Sequence, residues 1–238
     1  MQIVNSFDVN YVEEFFADAE NADYVNFHKY RWLMILNLMK AVDSILTAPG
    51  ARFLDIGPLY QTNIIRHAFP ELKVDTMGYN NPINKLRVGE NHYKVDLNHT
   101  QELETDLTEH YEIILFAEVL EHLYTKPQIV LEYLKGILKK EGIIILQTPN
   151  GISLDKRVKL LSGKNPFHLI EEHRQNHFRE YSLQELVDAS EEVGFKVEYK
   201  NIHNYFNPDK TFLQRLYRKS NNLIPMNLRD GLTVVLRK

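Results

Sequence analysis

Apolar and polar positions along the chain follow two rhythms, and the switch between them marks out the elements. From Tyr24 to Leu46 the residues Phe27, Tyr30, Leu33, Met34, Leu38, Val42 and Ile45 recur at three- and four-residue steps, which predicts an amphipathic helix ended by Ala48-Pro49-Gly50. Arg52 to Gly57 is a short apolar run closed by glycine, and Ile64, Ile65, Ala68 and Phe69 then share one helical face before Pro70. This unit reads as strand, turn, helix. Leu72 to Tyr79, Tyr93 to Val95 and Tyr111 to Phe116 read as further strands. A helix is predicted from Pro127, where proline suits the first turn, with Ile129, Val130, Tyr133, Leu134, Ile137 and Leu138 on its buried side.

Gly142 to Leu146 is nearly continuously apolar, as a central strand covered on both faces must be, and Thr148-Pro149-Asn150-Gly151 breaks it. The stretch from Ile152 to His177 reads as irregular. Ser182 then caps a helix through Ser190, with Glu185 placed to complete a capping box. Strands follow after Val193-Gly194 and at Leu232 to Leu236. Strands alternating with helices predict an α/β fold with a doubly wound, mostly parallel sheet and an N-terminal helical extension. One domain is expected over 1–238: a helical segment at 1–48, a core at 49–200, and a basic segment with the last strand at 201–238.

Composition narrows the classes. The 238 residues are 44% hydrophobic and 25% charged, an ordinary globular balance, and they contain no cysteine. That excludes disulfides, cysteine-ligated metals and a thiol nucleophile, and it suits a reducing compartment, so a cytoplasmic location is expected. A formal charge of −4 argues against a protein that coats nucleic acid through bulk electrostatics. The first thirty residues nevertheless hold six acidic side chains and one basic, whereas residues 200 to 238 hold eight basic and two acidic. Within that basic end, Lys210 to Lys219 sets Phe212, Leu213, Leu216 and Tyr217 against Lys210, Arg215, Arg218 and Lys219. Such a pattern serves core packing with a solvated face, or peripheral contact with an anionic membrane. The N-terminus has neither the basic nor the apolar region of a signal peptide, and no stretch is apolar enough to read as a membrane span.

In an open parallel sheet, ligands sit beyond the carboxyl ends of the strands, so those ends carry the functional question. Asp55-Ile56-Gly57 closes the first strand, Asn80 or Asp75 lies at the second, Asp96 follows the third, and Glu118-Val119-Leu120-Glu121-His122 follows the fourth. Together with LKKEGIIILQTPNG and HFREYSLQEL, this ordered set, covering about residues 50 to 200, resembles class I S-adenosylmethionine-dependent methyltransferases. Thr148-Pro149-Asn150, Gly163-Lys164-Asn165-Pro166-Phe167 and His177-Phe178-Arg179-Glu180-Tyr181 resemble members associated with glycan and polysaccharide biosynthesis. The resemblance implies S-adenosylmethionine as cofactor, with Asp55, Gly57, Tyr60, Asn80, Asp96 and Glu118 around it. The implied acceptor is a hydroxyl of a small or lipid-linked molecule, a sugar above all.

Two departures stand out. Gly57-Pro58-Leu59-Tyr60-Gln61 keeps only the first glycine of the family's usual loop, and Asn80 stands where an acidic ribose ligand is usual. They leave open a methyltransferase-fold binding protein without catalysis. The basic C-terminus leaves open methylation of an RNA 2′-hydroxyl. Residue by residue the local alternatives are plain: Asp55 can cap its turn, Asp96 can start an Asx-turn, and Tyr60 can simply pack. Transfer to a hydroxyl benefits from a base, and His122, His173 and His177 are the histidines placed near strand ends, with His122 and His177 the expected catalytic residues. If the chain turns helically after the fourth strand, Glu118, Glu121 and His122 share a face and, with His177, suit Mg²⁺ or Mn²⁺. That run is also similar to the one in metal-dependent 2′-O-methyltransferases of small RNAs.

Overall fold

Helix α1 (Val9–Phe15) begins where the Asp8 carboxylate accepts the Tyr11 amide at 3.0 Å, and α2 (Ala22–Ala41) begins the same way under Asn21. A break at Val42 separates α2 from the single turn α3 (Asp43–Leu46). The chain then alternates through β1 (Arg52–Ile56), α4 (Tyr60–Ala68), β2 (Lys73–Gly78), β3 (His92–Lys94), β4 (Tyr111–Ala117), α5 (Pro127–Ile137) and β5 (Leu138–Pro149). It ends with α6 (Leu154–Leu161), α7 (Leu183–Glu192), β6 (Lys196–His203) and β7 (Gly231–Arg237). This computed structural model describes residues 1, 3, 5–80, 85–102, 107, 110–169, 177–207, 215–217 and 223–238.

The seven strands form one sheet in the order β3-β2-β1-β4-β5-β7-β6. The pairs β1/β2, β1/β4, β2/β3 and β4/β5 are parallel, whereas β7 runs antiparallel between β5 and β6. The expected doubly wound, mostly parallel sheet is therefore observed. Its strand order reverses between β1 and β4, the point at which such sheets open a crevice. Period-two alternation divides the core into two layers. Leu54, Ile56, Ile114, Phe116, Ile144 and Leu146 face α5 and α7. Phe53, Ile113, Leu115, Ile143 and Ile145 face the N-terminal helices and α4. At roughly 1.5–3 kcal/mol for each fully buried side chain, this continuous sandwich holds the strand ends rigidly in register.

The structure corrects several expectations. The helix predicted over Tyr24 to Leu46 buries Leu38 and Val42 as expected, but Val25, His28, Trp32, Ile35, Leu36 and Met39 lie inside with them, while Phe27 is exposed and Tyr30, Leu33 and Met34 are half-buried. His28, Arg31 and Asn37 lie on the buried side, so apolar spacing alone could not select the face. The supposedly irregular 152–177 stretch contains α6. Asp75 is not at a strand end: it lies within β2, fully buried, accepting hydrogen bonds from the Asn91 amide at 2.7 Å and the Tyr111 hydroxyl at 3.0 Å. His173 lies outside the described residues, as does most of Lys210 to Lys219, of which 215–217 is helical. Among the described residues, no helix is long and apolar enough to cross a membrane.

Candidate active site

The turn after β1 is built around Gly57, whose φ of 75° favours glycine. A Cβ here would lie 2.6 Å from Val119 Cγ2, so the β1 and β4 turns touch through the space a side chain would need. The Gly57 amide donates to the Met77 carbonyl at 2.8 Å, and the Gln61 side chain donates to the Gly57 carbonyl at 2.8 Å. Asp55 is fully buried. Its Oδ2 accepts from the Thr62 hydroxyl at 2.6 Å, but its Oδ1 has no hydrogen-bond partner. Burial pushes its carboxyl up to about 6, although Thr62, the Gln61 side chain and the charges of Arg31 and Arg66 work against that rise.

After β4 the backbone does not turn helically at once. Glu118 takes φ 55°, a strained conformation for a non-glycine residue, while its amide still donates to Gln147 O at 2.9 Å. A single 3₁₀ turn, Leu120–His122, follows. Glu121 is fully buried: Oε2 accepts from the Thr148 hydroxyl at 2.9 Å, and Oε1, without a hydrogen-bond partner, lies 3.9 Å from His122 Nε2. Burial holds both glutamates above the ordinary carboxylate range, and Glu121 raises Glu118 further by its charge.

The segment beginning at His177 is laid against these residues by the backbone. Phe178 and Arg179 donate their amides to Glu121 O at 2.7 and 3.2 Å, and the Gly151 amide donates to Tyr181 O at 2.8 Å. The His177 ring therefore packs 4.9 Å from that of His122 and 5.1 Å from that of His168, centroid to centroid. His177 Nδ1 lies 2.8 Å from Glu180 Oε1, and Glu180 Oε2 pairs with Lys156 of α6. Burial, aided by His122, His168 and Lys156, pushes the His177 imidazole down to about 3, so it is neutral near pH 7. Lys156 itself is lowered to about 8, chiefly by burial. Metal-ligating atoms of Glu121, His122 and His177 lie within 4.8 Å of one another, as do those of His168, His177 and Glu180. Glu118 belongs to neither group, because its positive φ breaks the helical register that the four-ligand expectation assumed.

The remaining expected residues lie around this centre in different ways. Asp96 Oδ1 accepts from the amide and side chain of Asn98 at 3.1 and 3.0 Å, which makes an Asx-turn after β3. Asn80 is exposed at the end of β2, and its carbonyl oxygen lies 2.8 Å from His92 Nε2. The Tyr60 ring packs 5.3 Å from Tyr24 and 5.8 Å from Phe16. Arg31 was not expected at all. It is buried on α2, its Nε donates to His28 Nδ1 at 3.3 Å, its Nη1 has no hydrogen-bond partner, and its charge acts on Asp55, Glu118 and Glu121. His28 is driven down to about 2 by burial and by Arg31. An arginine one residue before the only tryptophan, inside an apolar helix, was the available signal.

Among the described residues, Asp55 Oδ1, Glu118 Oε1, Glu121 Oε1 and Arg31 Nη1 are thus buried polar atoms without partners, all at the carboxyl ends of β1 and β4 or facing them. Three acceptors and one cation match a ligand carrying an ammonium, a carboxylate and hydroxyls. The residues present fit S-adenosylmethionine.

A doubly wound sheet with partnerless polar atoms gathered at its switch point is suited to bind a nucleotide-type cofactor. A family described as Methyltransferase domain matches residues 27–200, and the chain belongs to it. The protein is an S-adenosylmethionine-dependent methyltransferase. No curated protein matches it. Among solved structures it is similar to a SAM-dependent methyltransferase from Archaeoglobus fulgidus, at 14% identity and TM-score 0.56 over 91% of this chain and 100% of that one. It is also similar to a putative sarcosine dimethylglycine methyltransferase from Galdieria sulphuraria, at 15% identity and TM-score 0.58 over 88% and 86% of the two chains. A third is a Burkholderia thailandensis 1,6-didemethyltoxoflavin-N1-methyltransferase with S-adenosylhomocysteine bound, at 17% identity and TM-score 0.50 over 94% and 89%. These likenesses are of fold.

Proposed function

We propose that the protein transfers a methyl group to a hydroxyl of a small or lipid-linked acceptor, a sugar of a growing glycan, in the cytoplasm. The observation that carries this reading is the neutral His177 imidazole held through Nδ1 by Glu180, which leaves Nε2 as a lone-pair acceptor beside the pocket. A hydroxyl gains from losing its proton as the methyl arrives; burial makes the resting His177 imidazole a weak base, and the Glu180 carboxylate at Nδ1 offsets this by stabilising the imidazolium that forms when Nε2 takes the proton. S-adenosylmethionine, when bound, supplies the methyl group and the sulfonium leaving group. Arg31, Asp55 and Glu118 would hold its polar ends at the turn of Gly57, and Asn80 and Asp96 would serve its ribose and base. His177 takes the proton at Nε2, and His122 packs against that ring and limits its rotation. The sugar class is supported by the likeness of the 148–150, 163–167 and 177–181 segments to glycan-associated members.

Transfer of labelled methyl from S-adenosylmethionine to a panel of sugars, nucleotide sugars and lipid-linked sugars tests this. The expected product is a methyl ether, formed roughly 10²–10⁴-fold more slowly by His177→Ala. Transfer to amines alone, undiminished in His177→Ala, refutes it.

A second reading rests on the same side chains. Glu121, His122 and His177 bring a carboxylate and two imidazoles together, and the partnerless Glu121 Oε1 is a ligand atom in waiting. This donor set suits Mn²⁺ better than Mg²⁺, and such an ion lowers the pKa of a bound hydroxyl. Activity lost in EDTA and restored by Mn²⁺ favours this form; activity indifferent to EDTA leaves His177 as the base without a metal.

A further inference from the structure

Large apolar side chains at the surface concentrate in two stretches beside the active site. Ile152, Val158, Leu160, Leu161, Phe167 and Leu169 are exposed along α6 and the loop after it, Leu161 by 89% and Leu169 by 77%. No residue of α6 is fully buried. Leu216, Leu223 and Met226 are exposed in the C-terminal segment, Leu223 by 86%. The two stretches are joined at the end of β5. Asn150 donates its amide to Asp230 O and its side chain to Arg229 O, both at 2.7 Å, and its Oδ1 accepts from the Ile152 amide at 3.1 Å. Tyr217 is close enough to α6 that the Asp155 carboxylate helps raise its hydroxyl to about 12, after burial and Asp230.

Charge distinguishes this surface from an ordinary apolar patch. Arg157 and Lys164 of this stretch and Arg215 of the C-terminal segment have no ion-pair partner among the described residues, whereas Lys159 pairs with Asp155 at 2.7 Å and Lys156 turns inward to Glu180. Exposed leucines interleaved with cations match the boundary of an anionic bilayer, where apolar tips enter the acyl region and long basic side chains reach the headgroups. A second copy of the same face would bring like charges together.

We propose that α6, the loop to Leu169 and the adjoining residues 215–217 and 223–226 form a docking face for an anionic lipid bilayer. The face borders the active site directly: Lys156 of α6 pairs with Glu180, and His168 lies against His177. Docking turns the pocket mouth toward the headgroup layer, within reach of a lipid-linked acceptor. Only this last consequence rests on the proposed acceptor chemistry.

Co-sedimentation with phosphatidylcholine vesicles, with and without about one-third phosphatidylglycerol, tests the docking. It needs neither cofactor nor acceptor, so its outcome is independent of any methyl-transfer result. The wild-type protein is expected to pellet with the anionic vesicles, and less so in high salt. Leu160→Glu with Leu161→Glu should weaken binding at least about tenfold, whereas Val88→Glu, at an exposed position in a different loop, should leave it unchanged. Leu161→Glu alone serves if the double variant melts early. Absence of binding, equal binding to neutral vesicles, or equal losses in the Val88 variant overturns the proposal. So does self-association that the same pair of substitutions abolishes without any vesicle binding, since the face would then join two copies of the chain.

Discussion

Asp55→Asn should separate folding from binding, with opposite signs. The carboxyl moves from 3.8 to about 6 on folding because its full burial outweighs Thr62, Gln61 and the charges of Arg31 and Arg66, which all favour the ionised form. A raised acid favours the protonated form in the fold, so its contribution is fully present below about 3.8 and is lost as pH rises through about 6. At about 1.4 kcal/mol per tenfold, the ionised carboxylate costs the apo protein on the order of 1.5–3 kcal/mol near neutrality, the lower figure allowing for relaxation of the site. Asparagine keeps an acceptor for Thr62 and carries no charge. The apo variant should therefore melt about 3–12 °C higher at about pH 8, with the gap shrinking to about a third at about pH 4.5. Affinity for S-adenosylhomocysteine should fall by about 1–3 kcal/mol, the scale of a lost charge-assisted hydrogen bond. Differential scanning calorimetry at both pH values and titration calorimetry supply the two axes. A variant that melts lower and binds unchanged would refute the reasoning, because Asp55 would then be a structural cap facing no ligand.

Gly57→Ala should cost the apo protein about 1–3 kcal/mol, and adding Val119→Ala should recover the steric part while the positive φ keeps its penalty; thermal melts of the single and double variants measure both. Arg31→Met should weaken S-adenosylhomocysteine binding by about 1.5–3 kcal/mol in the same calorimetric titration, with the apolar packing of α2 kept. Between about pH 6.5 and 8 the raised Glu118 and Glu121 lose protons in the fold and pull the apo melting temperature down, while the lowered His28 and His177, which still carry protons in the unfolded chain near pH 6.5, pull it up together with the lowered Lys156, so the wild-type profile should be shallow. Glu118→Gln should remove part of the downward pull, so that its melting temperature rises relative to wild type from pH 6.5 to 8.

The sheet was legible because its strands carry unbroken apolar runs, and the motif residues read at their ends include Asp55, Glu118 and Glu121, which hold buried oxygens without hydrogen-bond partners. The capping box at Ser182 and Glu185 forms as its spacing predicts, with both reciprocal bonds present. What spacing could not supply was the buried face of α2: His28, Arg31 and Asn37 lie inside it, against the rule that charge points outward. Glu118 failed for a related reason, since a left-handed residue has no sequence signature when it is not glycine or asparagine. Lys156 and His168 lie in the stretch read as irregular. They reach His177 only through tertiary contacts, by way of Glu180 in the first case and by ring packing in the second.

Titration of S-adenosylhomocysteine into the purified protein tests most directly whether the partnerless atoms around Gly57 form a cofactor pocket. A single site with a dissociation constant within about 1 μM to 1 mM, weakened by both Asp55→Asn and Arg31→Met, is the expected result. No heat at millimolar ligand, or binding that ignores both substitutions, contradicts the placement of the pocket and the enzymatic role built on it.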